Sequence, residues 1–397
     1  MKKLLVLLFV VLVAASLIIG GCTASPASSS APSSAVTTTT AKPPVTTTTS
    51  APAPTTPVQT STSASTPVVE LKFSHHNPPQ GWTTVQFLNP WAKQVEAATN
   101  GKVKITMYPA QSIAALADNY DAVISGLAQM TWIPTSPYAG RFPMSEVISL
   151  PFMTLPSGTI DGKRVGPAAV NSRILQELYE TVPEVQKEWA QTKLLFLHTT
   201  DPFFLISKKP VKNIADVKGL KIAVLGSGPT LDMWKKLGAS PVYMPAPAVY
   251  EAGGKGVIDA VAVNWANLGT YRYNEVFPYG TDMTSFVTIF AAVMNLDVYN
   301  KLPPDVQNQV MGVSGQTGAA FAANTAFGED AKNDILNKIK AQGSKLEIVS
   351  LDPGEFDKMK VLAGQPVWDE WIAGMKAKGL AADKVLDAAL KLVQKYK

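Results

Sequence analysis

Three histidines and a single cysteine are all that 397 residues offer for metal binding, proton transfer by imidazole or thiol chemistry. His75 and His76 are adjacent, and adjacent side chains on an extended segment point to opposite faces, so the pair cannot readily share one metal ion. His198 lies far along the chain. There is no HExxH segment and no pair of cysteines, which leaves no zinc set. The serine turn G-x-S-x-G is missing too. Gly226-Ser227-Gly228-Pro229 invites a phosphate-loop reading, but no Gly-Lys-Ser/Thr follows and position 231 is leucine, so G-x-G-x-x-G fails as well. A tight turn into a helix opened by Pro229 accounts for the same residues, and the amides at that helix start could at most hold an anion. The residues therefore point to no catalytic centre, no metal site and no cofactor.

The one cysteine has a different kind of chemistry. Met1, Lys2 and Lys3 form a basic head, residues 4–19 are apolar and uncharged, and Ile19-Gly20-Gly21-Cys22 closes the run. A secretory signal needs this order of basic head, apolar centre and small residues. The ending resembles a bacterial lipobox, in which the cysteine sulfur receives a diacylglycerol and becomes the new N-terminus. Residues 1–21 are then the signal peptide and Cys22 the lipidation site, placing the chain outside the cytoplasm and on membrane lipid. A plain transmembrane anchor is the competing reading, although a span takes roughly 20 apolar residues. Two or three acyl chains, at about 0.8 kcal/mol per buried CH₂, anchor a protein stably where one does not.

Residues 22–68 hold the expected acylated cysteine followed almost only by Ser, Thr, Ala, Pro and Val, with Lys42 the only charge and no aromatic side chain. Such a composition cannot bury enough apolar surface to order itself. It reads as a tether reaching between about 40 Å as a flexible coil and about 140 Å fully extended, with hydroxyls open to glycosylation.

The elements that must position any binding residue begin at 69. About 330 residues remain, more than one core usually supports, so two lobes are expected. Period-2 alternation predicts strands over 69–74 and 102–108, and apolar runs predict more over 129–133, 193–198, 203–207, 221–225, 242–244 and 287–294. Helices are predicted over 84–99, 115–127, 214–218 and 229–237, with a long helical region over 305–340. Alternation of this kind means α/β architecture with ligands bound beyond strand ends. A formal charge of +5 without a run of five basic residues gives no support to nucleic acid as a partner.

An ordered series of segments carries a family resemblance. Residues 208–222 (KKPVKNIADVKGLKI), 237–245 (LGASPVYMP), 249–251 (VYE), 255–259 (KGVID), Asn264-Trp265, 293–295 (VMN) and 302–306 (LPPDV) follow 91–103 (WAKQVEAATNGKV) and 150–153 (LPFM). In order and spacing they resemble the DctP-type extracytoplasmic solute receptors of TRAP transporters, over nearly all of 69–397. The resemblance implies a two-lobed, periplasmic-binding-protein-like (Venus flytrap) fold with a ligand cleft between lobes, here lobe I about 69–200 plus about 284–320 and lobe II about 201–283 plus about 321–397. It also implies a small organic solute as ligand and membrane permease subunits as partner.

One departure bears on the ligand. Members of the family usually carry an arginine two residues after the Lys of Gly-Leu-Lys, forming a bidentate clamp on the ligand carboxylate. Here that position is Ala223, and a second arginine of some members falls near Phe203. Losing such a clamp typically costs a few kcal/mol, enough to change ligand class. The expectation is a less acidic or more apolar solute, held by Phe203, Trp265 and Trp132.

Each residue also has a plainer reading. Trp265 and Trp132 are cleft contacts or core packing, Asn264 offers an amide to ligand or caps the next helix, and His75 or His76 hydrogen-bonds ligand at the end of the first strand. His198 is structural. Arg141 and Arg272 are the candidates for a relocated cation, or ordinary surface charges. Trp368 and Trp371 form a core stripe. Transport is the main functional reading; a lipoprotein feeding a membrane sensory protein is the second, and a secreted enzyme, lacking a nucleophile–base pair, the third.

Overall fold

In a computed structural model of the protein, residues 68–397 are described except Ala139, Ser227 and Thr284. Cys22 and the rest of residues 1–67, on which the lipidation and tether expectations fall, lie outside the described residues. All described residues fall within the compact unit Ala64–Lys397.

The strands are, in chain order, β1 (Val69–His75), β2 (Val103–Tyr108), β3 (Met130–Pro134), β4 (Gly158–Ile160), β5 (Lys163–Val165), β6 (Thr192–Thr199), β7 (Phe204–Ser207), β8 (Lys221–Val224), β9 (Ser240–Tyr243), β10 (Ala260–Val263), β11 (Tyr279–Thr281), β12 (Ile289–Asn295) and β13 (Glu347–Val349). They build a five-stranded sheet, order β2-β1-β3-β12-β6, a six-stranded sheet, order β13-β11-β7-β10-β8-β9, and the hairpin β4-β5. Position explains composition. β12 (IFAAVMN) lies between β3 and β6 and is buried at every residue, as is β10 (AVAV) between β7 and β8. Strands covered on both faces read as continuous apolar runs.

Two short stretches of chain run directly from a strand of one sheet to a strand of the other, and a longer helical passage leads from β12 to β13. Thr199 ends β6 and Phe204 opens β7; Thr281 ends β11 and Ile289 opens β12. The crossings pair with each other: Thr200 N donates to Thr288 O at 3.0 Å and Phe203 N to Phe286 O at 2.8 Å. The Thr288 amide returns a bond to Thr200 Oγ1 at 3.2 Å. Two short extended segments with few bonds between them are the places where two packed sheets can move relative to each other.

The predicted elements are present with differences that have local causes. The helix expected over 84–99 opens with a π-helical turn, Thr84–Leu88, before the regular helix Asn89–Ala98. Pro90 lacks the N–H that the regular ladder would use, and the backbone widens ahead of it. The region 305–340 is three helices, Pro304–Gly312, Gly315–Ala326 and Glu329–Ala341, parted where Ser314 and Gly328 adopt extended backbone. In the middle helix, a Cβ on Gly318 would stand 2.6 Å from Phe196 Cδ1, so only glycine lets it lie this close to β6. The last helix, Ala382–Tyr396, buries Val385, Leu386 and Ala389 in the cluster that covers the first sheet. It packs there and not on the second lobe, to which the sequence reading assigns 321–397. Among the described residues no helix is long and apolar enough to cross a membrane.

Candidate functional site

A column of aromatic rings stands at the ends of β1, β3, β6 and β12. Trp132 from β3 lies at its centre, stacked on Phe290 of β12 at 4.1 Å and 11° between planes. His76 stacks on Trp132 at 5.4 Å and 4°, and His198 at 5.9 Å and 8°. Strand register explains the column. Trp132 faces Ala292 across the β3–β12 ladder, and Phe290 faces His198 across β12–β6.

Hydrogen bonds lock the rear of the column. Trp132 Nε1 donates to His198 Nε2 at 2.9 Å, which leaves the proton of His198 on Nδ1, 3.1 Å from the Thr199 carbonyl. His198 is thus structural. Burial lowers its pKa to about 4, that of His75 to about 4 and that of His76 to about 3, with the neighbouring His75 charge adding to the last. All three imidazoles are neutral near pH 7. His76 Nδ1 is buried without a hydrogen-bond partner.

The open end of the column meets the second sheet. A cavity of about 30 Å³ is lined by His76, Phe290, Leu116 and Thr288 on the side of the first sheet, Phe203 at the crossing, and Leu225, Tyr243, Met244, Ala246 and Asn267 from the second. No Lys, Arg, Asp or Glu lines it. Phe203 is held there by stacking on Phe286 at 4.7 Å. The space suits a water molecule or two, against about 150 Å³ for a cavity that holds benzene. A solute of that size enters only if the two sheets part or the lining withdraws. Tyr243 also lines a neighbouring cavity of about 510 Å³, bounded by Pro137, Pro229 and Trp371.

The expected site residues thus divide. His76 and Phe203 line the small cavity, and Trp132 braces His76 and Phe290 from behind. His75 points elsewhere, edge-on to Phe73, with both ring nitrogens unpartnered. Ala223 is buried in β8 within the second sheet's core and does not line the cavity. Asn264 uses its side-chain oxygen to cap the helix Trp265–Tyr271, accepting from the Asn267 amide at 2.8 Å. Trp265 stacks on Phe204 at 4.3 Å and lines a separate cavity of about 430 Å³ with Asp201, Phe327 and Lys332.

Neither cation candidate reaches the small cavity. Arg141 bonds Asp121 at 2.7 Å and Gln191 at 2.9 Å, and Arg272 pairs with Glu275. Sequence reasoning misses Phe290, Tyr243, Met244 and Asn267. Phe290 hides in a run whose every residue is buried, where no alternation marks the face that looks out. The Met-Pro pair before Ala246 is visible as a family motif, which is the one signal that points near Tyr243 and Met244.

Comparison with known proteins agrees with this geometry. Residues 73–374 match the family described as bacterial extracellular solute-binding protein, family 7. A solute-binding protein of Albidiferax ferrireducens is 24% identical over 78% of this chain and 88% of its own length. A marine metagenome TRAP solute-binding protein specific for aromatic acid ligands, solved with 3-hydroxybenzoate, is 28% identical, with TM-score 0.75 over 83% of this chain and 99% of that one. A TRAP solute-binding protein from Rhodoferax ferrireducens T118, solved with copurified benzoate, is 26% identical, with TM-score 0.74 over 83% and 98%. A family match over three-quarters of the sequence, and two such superpositions over most of both chains, lead to one conclusion: the chain belongs to the bacterial extracellular solute-binding proteins of family 7, as a receptor of the TRAP type.

Proposed function

We propose that this receptor captures a planar aromatic solute without relying on a clamped carboxylate, and delivers it to TRAP permease subunits in the membrane. The observation that carries the ligand class is the lining of the cavity between the sheets: rings, apolar side chains and the neutral polar Thr288 and Asn267, with no cation. The solved relatives bind aromatic acids, which supports the ring preference. A carboxylate brought into this cavity would lose its water without gaining a charged partner, an uncompensated cost of several kcal/mol. An uncharged ring bearing a hydroxyl or amide could instead bond the neutral His76 imidazole and bury its faces against Phe203 and Phe290.

Titration calorimetry with benzamide and benzoate on the same protein tests this. Benzamide is expected to bind at least tenfold more tightly; a tighter benzoate would sink the proposal.

Attachment through an acylated Cys22 belongs to the same reading, since a tethered receptor stays near its permease. Radiolabelled palmitate should enter the wild-type chain in cells and be absent from Cys22→Ser. Equal labelling of the two would remove the lipoprotein assignment.

A further inference from the structure

The cavity is closed on one flank by contacts that no solute takes part in. Asn77 directly follows His76 in the chain and belongs to the loop leaving β1 in the first sheet. Tyr271 ends the helix Trp265–Tyr271, one turn beyond Asn267, after β10 in the second sheet. Tyr271 Oη donates to Asn77 Oδ1 at 3.0 Å. Burial raises the pKa of the Tyr271 phenol, so it stays a protonated donor at any physiological pH. Asn77 is 2% exposed, so its carbonyl has no ready exchange with water while the bond is made.

The same two elements touch again beside this bond. A Cβ built on Gly81 would stand 3.0 Å from Thr270 Cγ2 and 3.1 Å from the Pro78 carbonyl oxygen in its own loop, both tighter than ordinary contact, so a side chain at residue 81 would crowd the seat of the loop on the helix. The ring of Tyr271 stacks on Tyr273 at 5.6 Å and 10°, and Tyr273 Oη donates to the carbonyl of Ala246, which lines the cavity. The donor is therefore fixed by packing against the second sheet's own core before it meets the first sheet.

We infer that the Tyr271–Asn77 hydrogen bond and the close seating of Gly81 on Thr270 form a latch between the two sheets, so that Tyr271 and Gly81 are positioning residues that set solute affinity without touching solute. This rests on the cavity between the sheets being the solute site. A receptor that must close over its ligand has an apparent affinity proportional to the fraction of molecules able to close and stay closed. A contact present only when the sheets are together adds to that fraction and slows release.

The test uses the whole protein, with benzamide and benzoate as probes and small-angle scattering on the solute-free form. Tyr271→Phe keeps the ring and deletes the donor. It should loosen solute-free scattering toward a larger radius of gyration and weaken the better-bound probe about twofold to tenfold, the range for one lost hydrogen bond. The loss should appear in the dissociation rate. Gly81→Ala should do the same, and adding Thr270→Ser, which removes Cγ2 but keeps the hydroxyl, should restore the part of the affinity lost to the Thr270 contact. Unchanged scattering and affinity in Tyr271→Phe would overturn the latch. If neither probe binds wild type while Tyr271→Phe still shifts the scattering, the latch stands and the proposed ligand class fails.

Discussion

Phe203 and Ala223 occupy the two places where the family resemblance implies arginine, and they have different fates. Phe203 reaches the cavity; Ala223 is enclosed in the second sheet's core, at 0% exposure. Restoring charge should therefore work at one position only. Phe203→Arg is expected to reverse the ligand preference, making benzoate bind more tightly than benzamide in calorimetry. It should also lower stability by a few kcal/mol, because it ends the Phe203–Phe286 stack and buries a guanidinium. An unchanged preference in a folded variant would show that residue 203 does not face the solute. How much of the site is legible follows from the same residues. Family order points to Phe203, and places at strand ends point to His76 and Trp132. Trp265 and Asn264 align with cleft positions as well, yet the start of their helix faces Phe204 and Asp201. Sequence order places a residue near an element's end; which way the helix is rolled depends on packing between elements that are remote in sequence.

Among the elements, the crossing from β6 to β7 carries a group of unusual protonation. Asp201 is 5% exposed; Oδ2 accepts from the Trp265 amide at 3.1 Å and Oδ1 has no partner. Burial raises its pKa from 3.8 to about 7, while Lys332 pulls it down and Glu329 pushes it up by smaller amounts. The folded protein therefore holds a proton there that the unfolded chain gives up near pH 4. Stability from this group is complete below pH 4, falls as pH rises to about 7, and is level above. Asp201→Asn keeps an oxygen for the Trp265 amide and cannot ionise. The stability of wild type minus that of Asp201→Asn, from urea denaturation, should drop by a few kcal/mol between pH 4 and 7. The buried histidines push the other way, losing stability as pH falls below 6.5, but they are common to both proteins and cancel in the difference. A flat difference would place the Asp201 carboxylate in water. Nothing in the sequence distinguishes this aspartate. Its character comes from burial at a crossing, which pattern and spacing do not encode.

At the scale of the whole molecule, the architecture is the most legible part. Long apolar runs and short alternating ones mark the strands, because being covered on two faces or one is written directly into composition. The route of the chain is less legible, and it decides how the molecule comes together. β6 bonds to no strand of its sheet except β12, and β12 alone joins it to β3. Between the end of β6 and the start of β12 the chain lays down most of the second sheet. A fragment of residues 68–284 should accordingly fail to fold, with amide proton dispersion no wider than that of a denatured chain, although it holds four of the first sheet's five strands. A well-dispersed spectrum would contradict this. For a protein that works outside the cytoplasm, the late place of β12 in the chain acts as a timer. The leading half holds a slot in its sheet that only residues 289–295 fill, so the first sheet stays open until nearly three-quarters of the chain has been made.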